Sequence, residues 1–147
     1  MQGSKTNGTK LSFNTYQLYI FMSKNIMIVD DQVDTLDLLK EALEQEGYAV
    51  TALSYTEDII KSVEQHKPDL VMLDFLLAGI NGGEHCHHLK VNPLTSHIPI
   101  IMLSGYPRVL ESLGNYGADV FIAKPFDLTH LTGTVKHLLE DSLHAAV

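Results

Sequence analysis

From Lys24 onward, short apolar runs and helical patterns alternate along the chain. Asn25 to Val29 (NIMIV) and Leu70 to Leu73 (LVML) are apolar without interruption, as strands buried on both faces must be. Ile98 to Leu103 (IPIIML) is a third such run, with Pro99 near its start, where a missing N–H does least harm. Tyr48 to Leu53 and Val120 to Ala123 complete the strand candidates. Between them, Val33 to Glu46 places Leu36, Leu39 and Leu43 on one helical face, and Gly47 sits where that helix should stop. Glu57 to Gln65 predicts a second helix with Ile59, Ile60 and Val63 inward. A loop with Gly79, Asn81, Gly82 and Gly83 leads into a helix from Glu84 to about Val91. Pro107 can open a short helix to about Leu113, and Leu128, Leu131, Val135, Leu138 and Leu139 line a last amphipathic one. Repeated β-then-α units predict an α/β domain, a parallel sheet with helices on both faces.

Residues 1–22 break this pattern: they are polar, rich in Gly, Ser, Thr and Asn, and lack any period, so a flexible extension is expected there. The folded domain is expected over residues 23–144, with no output domain after it. Met22 opens MSKNIMIVDD, which would make a natural start, so the preceding stretch is expected to be an addition to it. The run Leu18 to Met22 is far short of the ~20 residues that span a bilayer, and no small-residue cleavage site follows it. At 147 residues, with 45% hydrophobic and 19% charged, the chain can bury an ordinary single core. A net charge of −8 disfavours direct binding to nucleic acid or to an anionic membrane. The single cysteine, Cys86, rules out an internal disulfide and fits a reducing cytosol, so a cytoplasmic location is expected.

In open α/β sheets, sites lie beyond the carboxyl ends of the strands. Residues immediately after the apolar runs are Asp30-Asp31, Asp74, Ser104-Gly105 and Lys124-Pro125. Three carboxylates, a hydroxyl and an ammonium therefore gather at one end of the sheet. Like-charged carboxylates at ~5 Å repel by roughly 3 kcal/mol per pair at an effective dielectric near 20, and a hard divalent cation relieves this. One carboxylate could then act as nucleophile toward a phosphoryl group, with the lysine and the serine hydroxyl stabilising the transferring oxygens.

This ordered set, DD, D, S and K-P at successive strand ends, resembles the receiver domain of bacterial two-component response regulators, over about residues 24–143. The resemblance implies a flavodoxin-like, doubly wound, five-stranded sheet of order 2-1-3-4-5, like that of stand-alone chemotaxis regulators. It implies that Asp74 is the phosphoacceptor, with Mg²⁺ (or Mn²⁺) bound directly by Asp31, with help from Asp30, and completed by Asp74 and the carbonyl of Leu76. Ser104 matches the switch hydroxyl, Lys124 the phosphate-binding lysine and Phe121 the aromatic that changes rotamer. The Lys124-Pro125 bond is expected to be cis. Implied partners are a sensor histidine kinase or a histidine phosphotransfer protein, an unnamed downstream protein, and a second copy of the chain in a phosphorylation-dependent homodimer. Output would pass through the face made by the 107–113 helix, the fifth strand and the last helix.

The sequence departs from the family pattern at Ala78, where proline is usual, and at Phe121, often tyrosine. Leu76 and a packed Tyr106 ring, two residues past the acceptor and two past the switch hydroxyl, are expected to position hydrolytic water poorly and slow autodephosphorylation. The tract His85, Cys86, His87, His88 suggests a metal, but no further ligand of matching spacing is visible, so a solvated helix face is the expectation. The glycines at 79, 82 and 83 precede no Lys-Ser or Lys-Thr, so they form no P-loop. Two alternatives to a phosphoacceptor are a pseudo-receiver that binds protein constitutively and a small phosphatase. The intact acidic set argues against the first, and the lack of an Asp-x-Asp arrangement against the second.

Overall fold

The computed structural model describes residues 23–76, 81–106, 108 and 116–145. The expected extension over 1–22, Ala78, Gly79 and nearly all of the expected 107–113 helix lie outside the described residues. The elements follow in the order β1 (Asn25–Val29), α1 (Val33–Gln45), β2 (Ala49–Leu53), α2 (Ile59–His66), β3 (Leu70–Asp74), α3 (Gly82–Val91), β4 (Ile100–Ser104), β5 (Val120–Ala123) and α4 (Leu128–Ala145).

The pairings between these strands are all parallel, and the strand order is β2-β1-β3-β4-β5, as the resemblance implied. Side chains alternate across a strand, so each apolar run serves two cores. Met27, Val29, Val71, Leu73, Ile100 and Met102 pack with Ile59 and Val63 of α2 and Cys86 and Leu89 of α3. Ile26, Ile28, Leu70, Met72, Ile101 and Leu103 pack with the Leu36, Leu39 and Leu43 face of α1 and with Leu131, Val135 and Leu139 of α4. This is why the central strands read as uninterrupted apolar runs.

Element ends differ from the sequence reading where capping chemistry decides them. α2 begins at Ile59 rather than Glu57 because the Asp58 carboxylate accepts from the Lys61 N–H, fixing Asp58 as the N-cap. α3 begins two residues earlier than Glu84, since the Asn81 side chain accepts from the Gly83 N–H. α1 ends as expected, with Gly47 at φ 96° just beyond its C-cap.

The histidine tract needs a correction. His85 is only 2% exposed and Cys86 is fully buried, so half of this tract faces the core rather than solvent. Burial, reinforced by nearby His88, holds the His85 imidazole below its ordinary pKa. Burial pushes the Cys86 thiol up to about 11, which keeps it protonated and unreactive at neutral pH.

Candidate functional site

The strand order reverses direction between β1 and β3, which opens a crevice at their carboxyl ends. Val29 lies opposite Leu73 in the ladder, and one further step brings Asp30 beside Asp74. On the far side, Asp74 is level with Leu103, and Ser104 is level with Ala123. Register thus brings Asp30, Asp74, Ser104 and the residue after Ala123, Lys124, to one edge of the sheet. Backbone bonds extend the ladder past the strand ends, from Phe75 N–H to the Leu103 carbonyl (2.9 Å) and from Lys124 N–H to the Ser104 carbonyl (2.7 Å).

Asp30 is fully buried and Asp31 is exposed, so the acidic pair divides its work by orientation. Asp30 takes the Lys124 ammonium on Oδ2 at 2.8 Å and the Gln32 N–H on Oδ1 at 2.9 Å. Lys124 Nζ also stands 3.6 Å from Asp74 Oδ1, so one ammonium bridges β1 and β3. Asp30, Asp31 and Asp74 each offer an oxygen, and these oxygens lie within 4.8 Å of one another. Lys124 cannot neutralise three carboxylates. Asp74 accordingly has its pKa raised from 3.8 to about 6, first by burial and next by Asp30, with Asp31 adding; Lys124 and the Leu76 N–H oppose the rise. A clustered set of hard oxygen donors held against mutual repulsion is what a divalent cation such as Mg²⁺ fits. Among the described residues, no comparable group includes the histidines.

The crevice is a cleft of about 770 Å³ lined by Asp31, Asp74, Ser104, Lys124 and others, including Leu76, Tyr106 and Phe126. Ser104 is buried, and its Oγ accepts from the Tyr106 N–H at 2.9 Å. The Lys124-Pro125 peptide is cis, as expected. Leu76 is 52% exposed, and Tyr106 is 60% exposed rather than packed. Phe121 is half-buried against the cluster around Met27 and Val71.

Two residues with no site role assigned from the sequence contribute here. Gly82, the first residue of α3, donates its N–H to the Phe75 carbonyl at 2.9 Å, and a Cβ on it would overlap the carbonyl oxygen of Asp74. Its bare backbone lets α3 seat directly on the peptide that carries the central carboxylate. Gln32 reaches the same lysine as Asp30, with Oε1 3.3 Å from Lys124 Nζ. Nothing in the sequence marked Gln32 apart from its place after the acidic pair.

Residues 26–136 match the family model for the response regulator receiver domain. The chain belongs to the response-regulator receiver family. It is 37% identical over 127 residues to the alkaline phosphatase synthesis transcriptional regulatory protein PhoP of Bacillus subtilis, covering 85% of this chain and 52% of that protein. It is 35% identical over 120 residues to the phosphate regulon transcriptional regulatory protein PhoB of Pseudomonas aeruginosa, covering 80% of this chain and 52% of that protein. The chain thus spans about half the length of these curated relatives. Among solved structures, a putative response regulator from Chloroflexus aurantiacus superposes with a TM-score of 0.74 at 31% identity, covering 80% of this chain and 98% of that one. The response regulator TrrA of Thermotoga maritima, solved in complex with Mg²⁺ and BeF, gives 0.71 at 32% identity, covering 78% and 98%. As a receiver, the chain is a phosphoacceptor module of two-component signalling, and its Asp30, Asp31 and Asp74 form the acidic pocket for Mg²⁺.

Proposed function

We propose that Asp74 accepts a phosphoryl group from a phosphohistidine on a sensor kinase or a histidine phosphotransfer protein, in the cytoplasm. The observation that supports this most is the meeting of three carboxylates with a single ammonium, Lys124, 2.8 Å from Asp30 and 3.6 Å from Asp74. Asp30, Asp31, Asp74 and the carbonyl of Leu76 would hold Mg²⁺ (or Mn²⁺). When bound, that ion supplies positive charge against the equatorial phosphoryl oxygens.

An Asp74 carboxylate oxygen attacks phosphorus as the bond from phosphorus to the donor imidazole nitrogen breaks, and the imidazole leaves with the bonding pair and is protonated. Lys124 turns its ammonium from Asp30 toward a phosphoryl oxygen, and Ser104 donates its hydroxyl proton to another. The chain acts as its own catalyst for this one transfer, and its only further covalent step is slow autodephosphorylation, in which water attacks phosphorus, the bond to the Asp74 oxygen breaks, and inorganic phosphate leaves. The added charge at Asp74 draws Ser104 and Lys124 inward, which shifts the turn after β4 and lets the half-buried Phe121 repack. Output then passes through contacts on β5, α4 and the 107–113 segment, with a downstream protein or a second copy of the chain.

Intact mass after incubation with acetyl phosphate and Mg²⁺ tests this reading. One phosphoryl adduct in wild type, absent from Asp74→Ala and from a chelated sample, is the expected result. No adduct on folded wild-type protein would overturn it in favour of a constitutive binding module, and steady turnover of phosphomonoester without adduct would point to a phosphatase.

A further inference from the structure

α1 lacks the side-chain cap its first turn should have. Its N-cap position is held by Gln32, with extended backbone, and the Gln32 side chain makes no bond to the open N–H groups of the helix. Asp58 and Asn81 at the corresponding positions of α2 and α3 do make such bonds. An uncapped N-terminus forgoes stabilisation that Ser, Thr, Asp or Asn would provide. The carboxamide is engaged elsewhere: Oε1 accepts from Lys124 Nζ at 3.3 Å and from Thr35 Oγ1 at 3.3 Å. The Gln32 N–H meanwhile donates to Asp30 Oδ1, so backbone and side chain of one residue clasp both ends of the Asp30–Lys124 pair.

We propose that Gln32 is a positioning residue for phosphoryl transfer, acting through Lys124. An ammonium has three protons to place. Asp30 takes one in a short, charge-assisted bond, and Gln32 directs a second, which leaves the third toward Asp74 Oδ1 at 3.6 Å. Without the Gln32 oxygen, the ammonium is free to rotate and close on Asp74, where it would shield the nucleophilic oxygen. A neutral acceptor at 3.3 Å holds the lysine yet releases it readily when phosphoryl oxygens arrive. Gln32 itself lines the cleft beside Asp74 and Ser104.

This inference rests on Asp74 being the acceptor, and its test separates the two. Wild type, Gln32→Ser and Gln32→Met are phosphorylated with acetyl phosphate and Mg²⁺ over a range of donor concentrations, and each is unfolded in urea. Serine can cap α1 but cannot reach Lys124, so its urea midpoint should rise while its rate at saturating donor falls by about 5–10-fold, the effect of about one hydrogen bond that no longer holds the resting ammonium off the Asp74 nucleophile. Methionine keeps the length without the acceptor, and should slow the reaction similarly with the half-saturating donor concentration unchanged. A purely structural residue could not lose rate while gaining stability. Variants that react at the wild-type rate, or that slow only with a matching loss of stability, would overturn the positioning role while leaving Asp74 as acceptor. Wild type that takes no phosphoryl group would overturn both.

Discussion

Replacing Asp74 with asparagine should stabilise the metal-free protein, although it removes the group on which signalling would depend. A rise in the Asp74 pKa from 3.8 to about 6 means that ionising this carboxyl costs more in the folded chain than in the unfolded one. At 1.36 kcal/mol for each tenfold change in proton affinity, that cost is about 3 kcal/mol at neutral pH. Asparagine fills nearly the same space without the charge. The sign follows from proton binding: between pH 3.8 and about 6 the folded protein keeps a proton that the unfolded chain has lost, so wild type loses stability as pH rises through that window. The full cost is present above it and vanishes below 3.8. Because other groups titrate in both proteins, the difference between them isolates Asp74. Urea unfolding followed by far-UV circular dichroism is the suitable assay, since the chain has no tryptophan. With chelator at about pH 7.5, Asp74→Asn should be more stable by up to about 3 kcal/mol, falling to about 1 kcal/mol at about pH 4.5. Mg²⁺ at about a hundred times its Kd should stabilise wild type by about 2.7 kcal/mol and the variant by much less, closing the gap. Equal stabilities in chelator, or a gap that ignores pH, would refute the claim that Asp74 sits in repulsive surroundings.

Three further outcomes are expected. Gly82→Ala forces a methyl group onto the Asp74 carbonyl, a backbone atom that cannot turn aside, so α3 must lift from β3 at a cost of about 1–3 kcal/mol, read from the urea midpoint, with slower phosphorylation. Leu76→Asn combined with Tyr106→Glu places polar groups on two exposed positions at the cleft mouth and should shorten the lifetime of the phosphorylated protein, as followed by intact mass; an unchanged or longer lifetime would remove these residues from control of water access. Asp58→Ala deletes the α2 cap and should lower stability by about 1 kcal/mol in urea while leaving the phosphorylation rate unchanged.

How much of this could be read from the residues depended on whether a position followed from periodicity or from contact. The central strands were legible because both faces of a parallel sheet must be apolar, and Ile26 to Val29 or Ile100 to Leu103 leave no other reading at that length. Asp30, Asp74, Ser104 and Lys124 were legible for a related reason: each is the first polar group after such a run, and parallel strands end at the same edge. The inward turn of His85 and Cys86 was not, since His87 and His88 beside them are polar too, and only the packing of α3 against α2 and β3 decides which side is buried. The exposure of Tyr106 was not legible either, since the bond from its N–H to the Ser104 Oγ fixes the backbone there but not where the side chain goes. Gly82 matters through the Asp74 carbonyl on the other side of a loop, and Gln32 through Lys124 on a distant strand, and neither contact leaves a mark in a single chain.

The conflict at the site ties the metal to the movement of Lys124. Asp30 is buried with no exposed surface, which costs several kcal/mol for an unpaired ion, and only its bonds to Lys124 and Gln32 make that burial tolerable. Among the described residues Lys124 is the one cation paired with either Asp30 or Asp74, so it cannot serve both fully. A phosphoryl group on Asp74 would bring nearly one further negative charge and three strong acceptors, and the ammonium should then leave Asp30 for the stronger site. Asp30 would be left buried and short of a partner unless a divalent cation stands beside it. The same ion that relieves repulsion in the resting cleft is therefore required to let Lys124 move. On this reasoning metal dependence is a property of the switch as well as of the transfer: Mg²⁺ removed after phosphorylation should return Lys124 toward Asp30 and weaken the activated conformation while the phosphoryl group remains attached. Lysine-selective NMR of the phosphorylated protein, before and after chelation, would report that movement directly, and a Lys124 signal indifferent to chelation would show that the two carboxylates do not compete for it.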